Sequence, residues 1–426
     1  MSVVQTQTNL PELLDRYGCP AYVYELEELR AASRDLKAAL PEEVELLYSL
    51  KANPHPAVVA VLRRLGYRAE VSSTGELRTA MEAGVPASQC LYTGPAKTPG
   101  EIALAMDRGV DWFSVDSPRE LRKVADAAEV SGRRVNLLLR VNADESVGGG
   151  GLAMTGEPSQ FGADASWVLA EPGEFTAGDH APVRGFHCYM GTNVFEDDVL
   201  LRMFETGTAM AAELAGALGI EVEILDLGGG FGHPFAESGE RPQFPKLRSE
   251  LESLLDRDVP GWREQRPKVK FESGRYLTGG MGTLLCTVQD VKESKGRRFV
   301  LLDSGIHHLG GMSGLRRVPR ISPELEMVAT GDGDQPSERQ GEHESDLVGP
   351  LCTPLDSWAR GIPLEDVEPG DVVAVPNVGA YGLTGSLIGF LSHEAPVEIV
   401  LDHGRVVEVS RLSLSRVEQS RLGKER

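Results

Sequence analysis

The chain has 426 residues, 41% of them hydrophobic, and carries 43 lysines and arginines against 64 acids for a formal net charge of −21. Such a composition predicts a globular protein with a sizeable core, built as two domains or as one large barrel with a smaller module. The negative charge argues against a generic nucleic-acid or anionic-membrane partner.

The opening residues MSVVQTQTNLPELL lack a basic segment followed by an apolar one, and no long uncharged apolar run follows, so neither a leader nor a membrane span is expected. The cysteines, Cys19, Cys90, Cys188, Cys286 and Cys352, are scattered and lack CxxC spacing. A disulfide framework or structural metal site is therefore not expected, and a reducing cytoplasm is the expected compartment.

From about residue 44, short β-branched runs alternate with helical patterns. The predicted strands end at Leu50 (VELLYSL), Ser73 (RAEVSS), Gly94 (CLYTG) and Ser117 (WFSVDS), then at Asn142 (VNLLLRVN), Tyr189 (VRGFHCY), Gly229 (EILDLGG) and Gly274 (VKFESG). Amphipathic stretches such as 75–83 and 118–125 separate them. Parallel strands need crossover helices, so this alternation suggests a TIM (β/α)8 barrel, with a doubly wound open sheet as the alternative.

After residue 280 the pattern becomes β-rich, and PVEIVL and RVVEVS around Asp402-His403-Gly404 predict a hairpin. The expected division is a barrel over 39–280 and a β-rich second domain from 1–38 plus 281–426, with a polar loop over 329–345.

Chemistry in such a barrel belongs at the C-terminal ends of the strands. Lys51 ends the first strand in YSLKANP; alone it reads as a snorkelling surface lysine, but at a barrel mouth it suits Schiff-base chemistry. The seventh strand runs into Asp226-Leu-Gly-Gly-Gly-Phe-Gly232, where a phosphate is expected, and the eighth into Glu272-Ser-Gly-Arg275. A lysine, a phosphate cradle and a carboxylate to protonate a ring nitrogen are what pyridoxal 5'-phosphate requires.

The ordered motifs YSLKAN, LDLGGGFG, ESGR, GPLCTPLD and GAYG resemble those of the fold-type III pyridoxal-phosphate decarboxylases, the diaminopimelate and ornithine decarboxylase family, over about residues 20–410. The resemblance implies a barrel followed by a β-barrel-like domain, and a cytoplasmic homodimer with shared sites. It makes Lys51 the Schiff-base lysine and Glu272 the partner of the pyridine nitrogen. Gly228, Gly229, Gly230, Gly274, Arg275 and Tyr381 fall in the cofactor site, and Cys352 becomes the proton donor reaching from the other subunit.

Two departures stand out. Family members often carry a histidine against the cofactor ring; His187-Cys-Tyr-Met-Gly-Thr192 puts Tyr189 in that place and Thr192 where a serine is common. His187 lies on the same strand face as Tyr189 and reads equally as a residue behind the site or as core. After Cys352, enzymes for dibasic substrates carry an acid to hold a distal ammonium; this chain has Thr353 and Pro354, the next acid being Asp356. Arg316, Arg317 and Arg320 fall where the resemblance implies recognition of the substrate's far end, and would favour an anion there.

The expected activity is decarboxylation of an amino acid or amino-acid conjugate in specialised biosynthesis, of antibiotic or siderophore type. Diaminopimelate decarboxylation is the alternative, followed by a racemase or a non-catalytic cofactor-binding protein on the same fold.

Overall fold

A computed structural model describes residues 10–144, 152–153, 158–310, 323–328 and 342–417. Within it the chain forms two compact units, one of residues 25–282 with 377–380, the other of the remaining segments.

The first unit is a closed parallel barrel. Its strands are β1 (Glu45–Ser49), β2 (Arg68–Val71), β3 (Cys90–Tyr92), β4 (Trp112–Val115), β5 (Asn136–Asn142), β6 (Val183–Cys188), β7 (Ile224–Asp226) and β8 (Lys268–Ser273). β1 pairs with both β2 and β8, and β4 pairs with β5, which closes the ring. Sequence periodicity leaves open whether the sheet closes; it does.

Local signals explain the crossover helices. Ser73, Thr98 and Ser117 each accept a backbone N–H as N-caps, and Thr98 with Glu101 forms a capping box. Gly109, Gly132 and Gly219 end their helices in the left-handed conformation.

Inside the ring, Leu47, Leu91, Leu138 and Ile224 form one apolar layer, drawn from the alternate strands β1, β3, β5 and β7. Outside it, Phe231 packs against Phe204, Phe244, Phe271 and Tyr276, with ring centroids 5.9–6.4 Å apart.

The helix Leu26–Ala39 belongs to the barrel unit, whereas the pattern of the sequence places residues 1–38 in the second domain. Its buried face, including Leu29, Ala32 and Leu36, packs on the barrel's own helices. The strand Ala21–Glu25 that precedes it carries no signal of where the unit changes.

The second unit is a mixed β-sheet structure. Along its main path lie, in order, Ser357–Glu365, Glu342–Val348, Arg297–Leu302, Gly282–Ser294, Ala21–Glu25, Val397–Asp402 and Arg405–Arg411. Its core joins Leu10, Leu13, Val23, Leu285, Ala374 and Ile399. The predicted hairpin is present: Val397–Asp402 pairs antiparallel with Arg405–Arg411, and His403 and Gly404 both take positive φ at the turn.

Candidate active site

Two residues further along the barrel strands, the apolar layer gives way to a polar one. A strand repeats its inward face every second residue, so Leu47, Leu91, Leu138 and Ile224 are followed by Ser49, Thr93, Arg140 and Asp226. Glu70, Ser114, His187 and Glu272 complete this layer from the intervening strands.

Lys51 sits in a single 3-10 turn, Leu50–Ala52, directly after β1. Gly274 allows that turn to come close: a Cβ on Gly274 would lie 2.8 Å from the Ala52 Cβ. The lysine side chain is 44% exposed, with Nζ 3.5 Å from Glu70 Oε1. The same Nζ stands 5.8 Å from the centre of the Tyr189 ring, as does the Arg140 guanidinium carbon.

Glu70 accepts from Thr93 Oγ1 at 2.7 Å. Its burial would raise its pKa, but Lys51 and hydrogen bonds from Ser49 and Thr93 outweigh that and hold it well below the usual carboxylate range. Glu272 goes the other way. Burial, reinforced by the charge of Glu70, pushes its carboxyl well above that range, and its Oε1 lies buried without a hydrogen-bond partner. His187 bonds Ser114 Oγ through Nδ1 at 2.9 Å, and its Nε2 lies 3.4 Å from Glu272 Oε1. Burial pulls the imidazole down to about 4, so it is neutral at pH 7.

The glycine loop after β7 is shaped chiefly by close backbone packing. Gly228 has φ +66°, and a Cβ there would stand 2.6 Å from the Cys188 carbonyl oxygen. Its N–H, expected to face a phosphate, instead donates to Asp226 Oδ1 at 2.9 Å. Gly229 and Gly230 follow in the same loop. Arg275 opens the turn after β8, its guanidinium 6.0 Å from the Phe235 ring.

The structure therefore brings Lys51, Tyr189, His187, the glycine loop, Glu272, Gly274 and Arg275 to the barrel's C-terminal end, with Thr192 in the short strand Gly191–Thr192 after β6. Cys352, Thr353, Asp356 and Tyr381 belong to the β-rich unit. Cys352 is an exposed free thiol and Tyr381 takes a φ of 56°.

Asp356, a candidate for substrate binding, is committed elsewhere. It is 3% exposed, Oδ1 accepts from Ile306 N at 2.9 Å and Oδ2 from Leu351 N at 2.8 Å. Gly305 and Gly349 approach so closely that a Cβ on either would lie within 2.3 Å of the carboxylate. Arg316, Arg317 and Arg320 lie outside the described residues.

Sequence reading misses Glu70, Ser114, Arg140 and Asp226. A signal is present, since each is a polar residue at an inward position of a buried parallel strand, where apolar residues are the rule.

A barrel with a lysine in the turn after its first strand and a buried, under-partnered carboxylate on its last suits an enzyme that works through a bound aldehyde cofactor. The family profile described as pyridoxal-dependent decarboxylase, pyridoxal binding domain, matches residues 26–279. The chain is 30% identical over 398 residues, 93% of this chain and 92% of the other, to an L-glutamyl-(BtrI acyl-carrier protein) decarboxylase of Niallia circulans. It is 30% identical over 383 residues, 88% of this chain and 86% of the other, to a diaminopimelate decarboxylase of Zymomonas mobilis.

A solved diaminopimelate decarboxylase from Helicobacter pylori in complex with L-lysine superposes with a TM-score of 0.79 over 93% of this chain and 95% of that one. At 23% identity that likeness speaks to fold alone. The chain belongs to the pyridoxal-dependent decarboxylases and is a pyridoxal-phosphate-dependent carboxy-lyase.

The residues present fit the cofactor. Glu272 Oε1 offers a buried oxygen in want of a partner, suited to a ring N–H, while Tyr189 offers an aromatic face beside Lys51. Among the described residues, no helix is long and apolar enough to cross a membrane.

Proposed function

We propose that the protein decarboxylates an amino acid carried as a conjugate, acylated or carrier-linked at its far end, with a free α-amino acid head. The observation that carries this reading is the fate of Asp356. It is the first acid after Cys352, and both its oxygens are held by backbone N–H groups of its own unit. Thr353 Oγ1 accepts from Leu355 N at 3.3 Å. The segment thus offers a hydroxyl where a dibasic substrate would want a carboxylate. The carrier-protein glutamyl decarboxylase among the relatives supports the same reading.

Bound pyridoxal phosphate serves as the sink for the electron pair released when the carboxylate leaves as carbon dioxide. Lys51 is the amine that attaches the cofactor's aldehyde carbon, and Glu70 holds that amine in place. Glu272 keeps the ring nitrogen protonated. Tyr189 would lie against the ring, and Gly229, Gly230 and Arg275 would hold the phosphate, with Thr192 and Gly274 beside them. Cys352 returns a proton to the substrate carbon, contributed by a second copy in a homodimer, as the family resemblance implies.

Carbon dioxide release across a panel tests this. Glutamyl-carrier protein and N-acylated or amide-linked amino acids are expected to turn over, with lysine, ornithine and diaminopimelate at least roughly tenfold poorer, because an uncompensated ammonium is costly to bury. Efficient turnover of diaminopimelate would favour the second reading, which the Zymomonas mobilis relative supports.

A further inference from the structure

Asp226 has no role in the reaction as outlined, yet it is among the most deeply buried charged groups in the barrel. It ends β7, opposite His187 on β6 and Lys270 on β8 in the strand register. The residue is 0% exposed; Oδ1 takes the Gly228 N–H, and Oδ2 is buried without a hydrogen-bond partner. Glu272 Oε1 and His187 Nε2 are in the same condition. One ligand atom from each of the three lies within 4.8 Å of the others. Three buried side chains, each with an unsatisfied polar atom, thus meet in one place, where two adjacent carboxyls cannot both carry charge.

The surroundings decide which one does. Glu272 is faced by Glu70 on β2 and, against it, by Lys51 from the turn after β1, Arg140 from β5 and Lys270 on its own strand β8. Asp226 is faced by the neutral His187 and by Lys270, which is already paired with Glu45 at 3.5 Å. His187 in turn is faced by Asp116 from the end of β4, and by Glu70 and Arg140. A protonated ring nitrogen in front of Glu272 would add a positive charge on that side alone.

We propose that Asp226 is a positioning residue that acts through Glu272: it keeps the proton of the carboxyl pair, so that the pair's negative charge rests on Glu272, opposite the cofactor ring. This rests on Glu272 being the ring-nitrogen partner. Burial raises both carboxyls, Glu272 to about 8 and Asp226, with Glu272 adding to it, to about 7, and the protonated ring nitrogen that faces Glu272 alone is what turns that order round. An acid raised in this way binds its proton in the folded but not the unfolded chain, from near its ordinary value up to about 7. Stability therefore falls as pH rises through that window.

The test melts the full-length protein loaded with pyridoxal phosphate, and its Asp226→Asn variant, between pH 4 and pH 8. Asparagine keeps an acceptor for the Gly228 N–H and mimics the neutral acid. The variant's Tm is expected to gain on wild type by roughly 2–5 °C as pH rises across that range. Parallel profiles would overturn the proposal. Should Asp226→Asn not fold, Glu272→Gln reports from the other side, lowering the midpoint of the Asp226 transition by about one pH unit, and an unmoved midpoint is equally fatal.

The pH titration of bound-cofactor absorbance then judges the assignment of Glu272 separately. Asp226→Asn, which leaves the pair's charge on Glu272, should keep its midpoint in place, whereas Glu272→Gln should shift it down by about one unit. A cofactor titration unmoved in Glu272→Gln, beside diverging melting profiles for Asp226→Asn, sinks that assignment while leaving the proton on Asp226.

Discussion

The two layers inside the barrel lie one strand repeat apart and have opposite contents. Leu47, Leu91, Leu138 and Ile224 make the lower layer a plug of hydrocarbon. The upper one holds Glu70, Arg140, His187, Asp226 and Glu272, several with buried atoms that no protein group satisfies. The lower layer offsets the cost of ordering the chain; the upper layer adds to that cost, because buried polar atoms without partners destabilise the fold. The same eight strands thus supply stability at one level and stored chemical potential at the next.

Substitutions that separate the layers should separate the two effects. The largest loss is expected from Lys51→Ala, with activity falling by at least ~1000-fold for want of the cofactor-bearing amine. Borohydride reduction and peptide mapping should place the pyridoxyl label on Lys51 in wild type, and a label on another lysine would refute its role. Next comes Glu272→Ala, with kcat expected to drop about 100-fold or more while cofactor still binds, read by absorbance and steady-state kinetics. Near-normal kcat would make the carboxylate structural only.

In the lower layer, Leu138→Ala should cost about 3 kcal/mol by denaturant unfolding, with kcat/KM nearly unchanged once the protein is folded. A large kcat defect without a stability loss would show that the layers are not separable.

The smallest effect is one of pH. His187 is neutral in the fold, with its pKa lowered to about 4, so only the unfolded chain takes up its proton between about 6.5 and 4. Stability from this group therefore falls as pH drops through that window, on the order of 1–3 kcal/mol. His187→Asn should flatten the acid limb of the cofactor-free melting profile. His307 and His308 in the β-rich unit, lowered by burial to about 4 and about 3, will keep part of that limb.

Much of the fold and part of the site are legible in the amino-acid sequence alone. Alternating runs and the amphipathic stretches between them announce the strands and helices, and strand-end position singles out Lys51, Glu272 and Arg275 as candidates. What escapes a linear reading is of two kinds. Glu70 and Asp226 are single polar letters within apolar runs, RAEV and EILD, and period-two inspection catches them only once the barrel interior is known to be their destination. Asp356 is visible as an acid after Cys352, but its bonds to Ile306 and Leu351 join segments 50 and 5 residues away. Contacts over such separations belong to the folded chain and leave no local pattern.

The place of β1 between β2 and β8 has a consequence for how the enzyme comes into being. Lys51 and Glu272 arise on neighbouring strands, with Leu47 paired to Glu272 and Tyr48 to Ser273 in the register. A ribosome releases the lysine early and the carboxylate only after the last barrel strand has been made. Until the barrel's two ends meet, the lysine of a nascent chain has Glu70 beside it but no Glu272. With Lys51 and Glu272 in the roles proposed, cofactor capture is expected to wait for this long-range pairing, which forms slowly. A chain truncated before residue 268 should carry the reactive lysine and yet fail to hold the vitamin.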